Sequence, residues 1–424
     1  MLMYCFLRCR VLLLLVGVSA CQPKLQSRFC TFTDVVPVSL ETPSSSFLKI
    51  ANLCRSPLAY APDTAHLAHF SMRYVRLNIH FVNSSDSTKN YVGEEALAFA
   101  HNLVHNANTD LQQNAKMHLP IDNQTSVLPI NIQYVITPKA DDPTDKGIYF
   151  HFDDELCYYV HKGKNRNNYN RDVIDKYGVQ VGNVINVFIM PHHPDSVASP
   201  TYVSSGVGVA LGTNIKMAGM YEDGGPFWRY RQILNHEVGH VFGLYHAWAG
   251  NDGCEDTPHH PNCWNYTEEG PCHTLVSNNV MDYNAWQLAW TPCQIGRVHE
   301  LMSQTHARQR QLLVPTWCQL DESKTLFIQD TIHWQGAKDV EGNIIIAAGA
   351  VLQLSCRLAL PKGATITVEP GGKLILNEAH LHNDCNEMWQ GIVLQTKGKA
   401  KGEVQWIGNV KVENAIYAME DIKN

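Results

Sequence analysis

The sequence predicts an α+β fold over most of the chain and a separate all-β region at its C-terminal end. Strand-like and helix-like hydrophobic periods both occur between about residues 70 and 315. Beyond about Pro315, short strand-like runs divided by Gly turns take over. The chain has 424 residues, which is enough for two or three domains. We therefore predict an α+β domain at 71–318 and a β-rich domain at 319–424.

The composition is that of an ordinary globular protein, and it limits the classes of partner. Hydrophobic residues make up 45% of the chain and charged residues 17%. The formal charge is −7, and no long basic run is present. We therefore expect no nucleic-acid partner.

The α+β domain begins with elements of both hydrophobic periods. Alternating apolar and polar residues predict a half-buried strand at 74–82, and an apolar stripe at helical spacing predicts a helix at 93–117. The more continuous apolar run at 184–190 suits a central strand. The other predicted elements are strands at 127–136 and 147–152, a Gly-rich strand with a loop at 204–216, and a helix at 227–242.

The second half of this domain has a different character. Residues 247–290 show little periodicity, many turn residues and several Cys, so cross-links should hold this part together. A last helix is predicted from Thr291, a good N-cap. Pro292 fits the first turn, and Gln294 completes a capping box.

The C-terminal region contains an internal echo. Residues 342–346 are echoed at 363–368, and residues 349–354 at 371–376, with offsets of 21 and 22 residues. Short strands with Gly turns at that period predict rungs of a parallel β-helix, and a plain β-sandwich is the alternative. The region ends without an evident cap, so an incomplete domain stays an open alternative.

The N-terminus has the pattern of a signal peptide, which we assign to residues 1–20. Arg8 and Arg10 precede an apolar run at 11–18 that is too short to span a membrane. Residues 18–21 (Val-Ser-Ala-Cys) resemble the lipobox of bacterial lipoproteins, in which the Cys, here Cys21, carries the lipid. We expect an exported protein, either a lipoprotein of the outer membrane or cell surface, with a lipid anchor, or a secreted one.

Residues 21–70 are rich in Pro and Ser in places and predict a tether or a short prosegment. Cys54 lies here, and a prosegment thiolate could occupy the fourth position of a metal site and keep an enzyme latent. The alternative is that Cys54 pairs with Cys30 or simply packs. Once the signal peptide and a lipidated Cys21 are set aside, ten Cys remain, and an even count in an exported protein suggests disulfides.

One stretch has the spacing of a metal site and reads H-E-x-x-H-x-x-G-x-x-H from His236. His236 and His240 are four residues apart, so on a helix their imidazoles share one face. Gly243 can take a positive φ and end the helix, after which His246 can approach from a new direction. Three neutral imidazoles and one water form an open tetrahedral zinc site of the catalytic kind. Glu237 flanks the metal and is not one of its ligands.

A downstream segment supports this interpretation. Residues 277–283 (Ser-Asn-Asn-Val-Met-Asp-Tyr) resemble the Met-turn of the metzincin proteases. A buried Met281 would form an apolar floor under the three His, whereas an ordinary core Met is the alternative. Tyr283 matches the Tyr of that turn and could donate a hydrogen bond to a reaction intermediate, with a packed structural Tyr as the alternative.

The zinc motif, the segment 253–258 (Gly-Cys-Glu-Asp-Thr-Pro) and the turn 279–283 together resemble the pappalysin-type metzincins. Within these, the bacterial cytophagalysin and ulilysin group is the most similar, and the resemblance covers about residues 72–318. It implies a two-subdomain zinc protease with zinc on His236, His240 and His246. It also implies that Glu237 acts as general base.

The resemblance has consequences for the second half of the domain. It implies that Cys254 pairs with Cys272, and Cys263 with Cys293. Members that cleave before basic residues have an acidic side chain where this chain has Trp286. We therefore expect a more apolar primed-side pocket at Trp286 and no Arg/Lys preference.

Calcium is a further cofactor that some members of this family bind in the corresponding segment. That segment carries hard oxygen donors here, and a solvated acidic loop is the alternative. The residues concerned are Asp252, Glu255, Asp256 and Thr257.

The expected activity is hydrolysis of peptide bonds in an extended polypeptide. Zinc activates a water and polarises the scissile carbonyl, and Glu237 transfers the proton to the leaving amine. Residues 207–211 are the candidate edge strand that would hold the substrate by strand addition. The C-terminal region resembles domains appended to exported proteins of the Bacteroidetes. It could bind a surface or carbohydrate target, and a non-catalytic surface module is the rival function for the whole chain.

Overall fold

The structure is a computed structural model that describes residues 23–38, 54–85, 90–201, 206–223 and 229–417. The predicted signal peptide and Cys21 lie outside the described residues. Within the described ranges, no helix is both long and apolar enough to cross a membrane.

The helices of the described residues lie in the first three quarters of the chain. They are α1 (Gly93–Gln112), α2 (Asp172–Tyr177), α3 (Pro194–Val197), α4 (Met220–Asp223), α5 (Arg231–Val241) and α6 (Pro292–Ser303).

The strands form two groups, one before residue 220 and one after residue 325, with two N-terminal strands that join the second group. They are β1 (Leu25–Phe29), β2 (Val35–Val38), β3 (Arg73–Asn83), β4 (Ile132–Ile136), β5 (Ile148–Phe152), β6 (Ile185–Met190), β7 (Val207–Leu211), β8 (Asn214–Ala218), β9 (Leu326–Ile328), β10 (Thr331–Trp334), β11 (Lys338–Asp339), β12 (Ile344–Ile346), β13 (Val351–Leu354), β14 (Arg357–Ala359), β15 (Thr365–Val368), β16 (Lys373–Asn377), β17 (His380–His382), β18 (Gly391–Lys397), β19 (Ala400–Lys401), β20 (Glu403–Ile407) and β21 (Lys411–Val412).

The first group forms a twisted sheet with the order β4-β3-β6-β8-β7, and β5 pairs with β3 beyond β4. The pairs are parallel except β7 with β8, which form an antiparallel hairpin at one edge. The sequence predicts one strand and a loop at 204–216. Gly212 adopts a positive φ of 67°, which lets the chain reverse there and form the hairpin. The prediction of an edge strand at Val207–Leu211 is confirmed.

Helices α1 and α5 pack together against this sheet. The buried face of α1 carries the predicted apolar stripe, although the helix ends at Gln112, five residues earlier than predicted. Arg231 at the start of α5 donates to Asp110 near the end of α1 at 2.6 Å, and Asn235 donates to Ala107 O at 3.2 Å. Helix α5 is therefore oriented by polar contacts as well as by its core face.

Below α5 the chain has little regular structure, as the sequence predicts. The described residues 247–290 contain no strand and no α-helix. Helix α6 then begins at Pro292 with the predicted capping box, in which Gln294 N donates to Thr291 Oγ1 and Thr291 N donates to Gln294 Oε1.

The C-terminal strands stack in three mainly parallel sheets, with the orders β9-β12-β15-β18, β10-β13-β16-β20 and β11-β14-β17-β21. Ile344 is paired with Ile366 and Leu352 with Leu374, which is a spacing of 22 residues, so the sequence echo is the spacing between neighbouring strands. Side chains alternate between buried and half-buried along these strands, and the buried ones form a separate core. We call residues 326–412 the stacked-strand region.

The N-terminal segment joins the stacked-strand region. Strand β1 pairs antiparallel with β18, and β2 pairs parallel with β20. The sequence predicts a tether or short prosegment here, whereas the structure places these residues as edge strands on two of the three sheets. Their alternation is too short and too polar to have been recognised as strands, since four of the five β1 side chains are exposed.

Candidate metal centre

Helix α5 presents the first two His of the motif on one face. His236 and Glu237 are buried, and His240 is half-buried. The helix ends at Val241, and Gly243 follows with φ +82°, as predicted. The chain then reverses and brings His246 back to the same point.

The three imidazoles converge through their Nε2 atoms. Nε2 of His240 lies 3.1 Å from Nε2 of His236 and 3.1 Å from Nε2 of His246. Nδ1 of His236 lies 2.7 Å from Val280 O, and Nδ1 of His240 lies 2.8 Å from Leu244 O. Because a carbonyl only accepts, both Nδ1 atoms carry the proton, and the Nε2 lone pairs point at each other.

The electrostatics keep these rings neutral. Burial, followed by the neighbouring His240, lowers the pKa of His236 to about 3. Burial and His240 likewise lower the pKa of His246 to about 4, and burial lowers the pKa of His240. Neutral imidazoles are the form that binds a metal, and two facing lone pairs need a cation between them.

The donor set fits zinc. Tetrahedral coordination with Zn–N bonds of about 2.0–2.1 Å puts two ligand nitrogens roughly 3.3 Å apart. The observed separations of 3.1 Å agree with that value. In the described part of the chain, one other group of His, Cys, Asp or Glu converges in this way, and two of its three members, Cys254 and Cys293, form a disulfide.

Glu237 lies on α5, and its side chain faces the edge strand β7. A Cβ at Gly208 would lie 2.6 Å from Cγ and Oε1 of Glu237. Only glycine at position 208 therefore lets the strand lie this close to the side chain. Burial raises the pKa of Glu237 to about 8, and a backbone hydrogen bond from Ala210 opposes that shift. Oε2 is buried and lacks a partner among the described protein atoms. A carboxylate held in this way is suited to exchange a proton with a water molecule.

Met281 forms the floor that the sequence predicts. Its side chain is fully buried, and a Cβ at Gly239 would lie 2.5 Å from its Sδ. Gly239 is on α5 between the two His, so Met281 lies directly against the helix at that point. Val280, one residue earlier, accepts from His236, so the same turn also orients a ligand.

Tyr283 lies at the mouth of the site. Its ring centroid is 4.7 Å from that of His246 and 5.9 Å from that of His236, and 47% of the residue is exposed. Partial burial and the nearby Glu237 carboxylate raise the pKa of Tyr283, so the hydroxyl stays a proton donor. A hydrogen bond from Tyr283 to a reaction intermediate stays a prediction.

Asp282 is a site residue that the sequence analysis did not single out. It is buried, accepts from Trp248 N at 2.7 Å and from Ser277 Oγ at 2.5 Å, and lies 2.8 Å from His260 Nε2. It therefore ties the segment that follows His246 to the turn that holds Met281. The sequence signal for Asp282 was its position directly after Met281, in a turn expected to be buried. Its partners Trp248 and His260 are 34 and 22 residues away in the chain, so the local sequence does not reveal them.

The disulfides of this half differ from the expectation. Cys254 pairs with Cys293 and Cys263 with Cys272, so the predicted pairing of Cys254 with Cys272 and Cys263 with Cys293 was wrong. The reason is local. Asp256 accepts a hydrogen bond from Cys293 N in the first turn of α6 at 3.0 Å. This contact holds Cys254, two residues earlier, next to Cys293. The chain between 263 and 272 instead folds back on itself as a nine-residue loop.

The predicted calcium donors do not converge in the described structure. Asp252 accepts from Cys254 N at 3.1 Å and from Thr257 Oγ1 at 2.7 Å, so it organises its own loop. Asp256 faces the start of α6, and Glu255 is exposed. Calcium binding here stays a prediction.

Cys54 is not near the His. It forms a disulfide with Cys356 in the stacked-strand region, so the predicted latency switch was wrong, as was its alternative pairing with Cys30. Trp286 is half-buried, with its ring centroid 5.7 Å from that of Tyr266. The apolar pocket at Trp286 stays a prediction.

Comparison with known proteins returned solved structures alone. No family model matches the chain, and no curated protein matches it. Mature mirolysin of Tannerella forsythia, in complex with a cleaved peptide, aligns with a TM-score of 0.41 at 17% identity over 57% of this chain and 96% of its own. A promirolysin variant from the same organism aligns with a TM-score of 0.40 at 16% identity over 64% and 92%.

Proposed function

We propose that this protein is a zinc-dependent endopeptidase that cleaves extended polypeptide segments. The observation that carries the proposal is the convergence of three neutral imidazole nitrogens 3.1 Å apart, with the buried carboxylate of Glu237 beside them. His236, His240 and His246 would hold the metal. An intact ligand set with an intact Glu237 favours a working enzyme over a non-catalytic surface module.

The residues of the chain have separate roles in the proposed reaction. When bound there, a zinc ion would supply a Lewis acid that polarises the scissile carbonyl and lowers the pKa of a water molecule. Glu237 is placed to accept a proton from the attacking water at its carboxylate and to deliver that proton to the leaving amine. Tyr283, exposed at the mouth and 4.7 Å from the His246 ring, donates a hydrogen bond to the developing oxyanion.

The substrate lies along β7. This strand is hydrogen-bonded to β8 on one side, and its other edge is the end of the sheet. Gly208 and Ala210 of β7 contact Glu237, so a peptide added to that edge would pass directly over the general base. Strand addition requires an extended segment, so we expect a preference for unfolded chains or loops.

The Glu237→Gln variant tests the mechanism, because it keeps the shape of the side chain and removes the base. We expect zinc to stay at one ion per chain and peptide cleavage to fall by roughly a hundredfold to ten-thousandfold. Glu268→Gln, an exposed acid in the same half of the domain, is the matched control and should keep full activity. Full activity of Glu237→Gln would refute the proposal.

We further propose that the protein works outside the reducing cytosol. The support is chemical: the described residues contain four disulfides, and such bonds persist in oxidising compartments. This is compatible with the signal peptide and the lipidated Cys21 expected from the sequence.

A further inference from the structure

A cavity of about 230 Å³ lies between the segment 58–70 and strand β10 with the residues that follow it. Its two walls are more than 260 residues apart in the chain. A single water needs roughly 10–15 Å³ of such space, so this volume could hold a small organic molecule. The walls are fixed in the folded protein. Cys54–Cys356 joins them covalently, Tyr60 Oη donates to Cys54 O at 2.7 Å, and Ala337 N donates to Tyr60 Oη at 3.2 Å.

The cavity wall carries a cation that lacks a counter-ion. Lys338 Nζ makes one long hydrogen bond, 3.5 Å to His69 O, and lies 5.8 Å from the centroid of the Trp334 ring. It forms no ion pair with a carboxylate of the described residues, whereas the next residue, Asp339, is paired with three arginines. An ammonium enclosed without an anion costs stability. Burial, followed by the guanidinium of Arg73, lowers the pKa of Lys338 to about 8, and the carboxylate of Asp63 opposes that shift.

A second polar group on the same wall is also unsatisfied. Nδ1 of His69 is buried and has no hydrogen-bond partner among the described atoms. The ring is held in place by Trp334, whose centroid is 5.6 Å away at a near-perpendicular angle, and by His66, 5.3 Å away in a stack. Burial lowers the pKa of His69 to about 4, so the ring is neutral.

A carboxylate also lines the cavity. Asp63 lies 2.7 Å from Nδ1 of His66 and is exposed, so its carboxylate can still accept from a ligand hydroxyl or amide. Phe70 and Trp334 supply apolar surface. The cavity therefore presents one cation, apolar faces and one acceptor.

We propose that this cavity binds a small carboxylate-bearing molecule, with the carboxylate on Lys338 Nζ and a hydroxyl or amide on Asp63. Two sources share this chemistry, an acidic monosaccharide and the C-terminal residue of a peptide. The site is separate from the His cluster and does not depend on the proposed peptidase activity.

Ligand-observed NMR on the full chain tests the proposal with two matched pairs of probes. Glucuronate is compared with glucose, and N-acetylalanine with its amide. We expect at least one of the two carboxylates to bind and its uncharged counterpart to bind at least tenfold more weakly. Glucuronate binding would identify the sugar source, and N-acetylalanine binding the peptide source. No binding of either acid at ten millimolar, or equal binding of inorganic phosphate, would overturn the proposal.

One variant connects binding to the cavity. Lys338→Met should abolish carboxylate binding. Lys362→Met, at an exposed lysine elsewhere on the same region, is the control and should bind as the parent does. Without ligand, Lys338→Met should unfold at the same or a higher urea concentration, because it removes an enclosed charge that lacks a partner. A clear fall in that midpoint would show that Lys338 is a structural residue and would overturn the proposal.

Discussion

Two buried polar clusters in this protein are built on opposite principles. In the metal centre, three neutral imidazoles point their lone pairs at one another across 3.1 Å, and the protein offers nothing of opposite charge between them. At the junction between the α+β domain and the stacked-strand region, the buried carboxylate of Asp339 is paired with the guanidiniums of Arg73, Arg310 and Arg357. The imidazoles of the metal centre need a bound cation to satisfy their lone pairs, whereas the paired charges at the junction neutralise one another.

The junction is centred on Arg310. Its side chain is 3% exposed, donates to both oxygens of Asp339 at 2.9 and 3.0 Å, and donates to Asp384 at 2.7 Å. The guanidinium also lies 4.2 Å from the centroid of the Trp317 ring. Burial raises the pKa of Asp339, but the guanidiniums of Arg357, Arg310 and Arg73 together lower it well below its usual range.

Covalent bonds reinforce the junction. Cys318 pairs with Cys385, and Cys54 with Cys356. The short turn Pro57–Tyr60 fits so closely against α6 that a Cβ at Gly296 would lie 2.1 Å from Pro57 O. The stacked-strand region is therefore joined to the α+β domain as part of one structure, and it is not an appendage on a flexible linker.

The largest expected effect concerns the metal centre. His246→Gln removes one of three ligands without leaving a carbonyl unpaired, and we expect zinc to be lost and peptide cleavage to fall roughly a thousandfold or more, at about 1.4 kcal/mol per tenfold. Zinc stoichiometry and peptide cleavage give the direct measurement. His101→Gln, an exposed His on α1, is the control.

The same variant sharpens the contrast with the junction when stability is measured. A chelator should lower the melting temperature of the parent protein, because zinc stabilises the folded state by mass action. It should leave His246→Gln unchanged, since that variant has no zinc to lose. If metal-free His246→Gln were much less stable than the metal-free parent, the imidazole cluster would be a structural feature, and the contrast would fail.

The next effect concerns the charges at the junction. Arg310→Met keeps much of the side-chain volume but removes one of the three guanidiniums of the buried Asp339 and the partner of Asp384, and we expect a loss of about 3–5 kcal/mol in the free energy of unfolding. Urea unfolding followed by circular dichroism measures it. Lys362→Met breaks an exposed pair with Glu387 and should cost about 1 kcal/mol or less. Equal costs for the two variants would contradict a junction based on buried charge.

The third effect distinguishes a cross-link from a latency switch. The double variant Cys54→Ser with Cys356→Ser removes a bond across 302 residues and should cost about 2–4 kcal/mol of stability. Specific activity at low temperature should not rise, since Cys54 is far from the His. A clear rise in activity, as release of a latent enzyme would give, would restore the role that the sequence suggested for this residue.

The contrast also explains what the sequence could predict. The metal ligands lie within 11 residues, and their spacing follows from the geometry of one helix and one glycine. The strand echo at 22 residues is likewise a repeated local pattern. The junction joins residues 73, 310, 339, 357 and 384, and each of them is unremarkable among its own neighbours. The pairing of Cys254, Cys263, Cys272 and Cys293 depends on how the loop after His246 meets α6, and the spacing of the four Cys does not determine it.

The smallest effect tests a local feature that the sequence did predict. Thr291→Ala removes the N-cap of α6 and should cost about 1 kcal/mol, because one backbone N–H at the helix start loses its acceptor. Gln294→Ala should cost more. Its side-chain amide caps the same helix and also exchanges hydrogen bonds of 2.8 and 2.9 Å with the buried Asn279, two residues before Met281. If the two variants were equal in urea unfolding, the link from α6 to the Met-turn would add nothing to the cap. A larger cost for Gln294→Ala would show that even a motif readable from four residues takes most of its stability from a contact that those residues do not reveal.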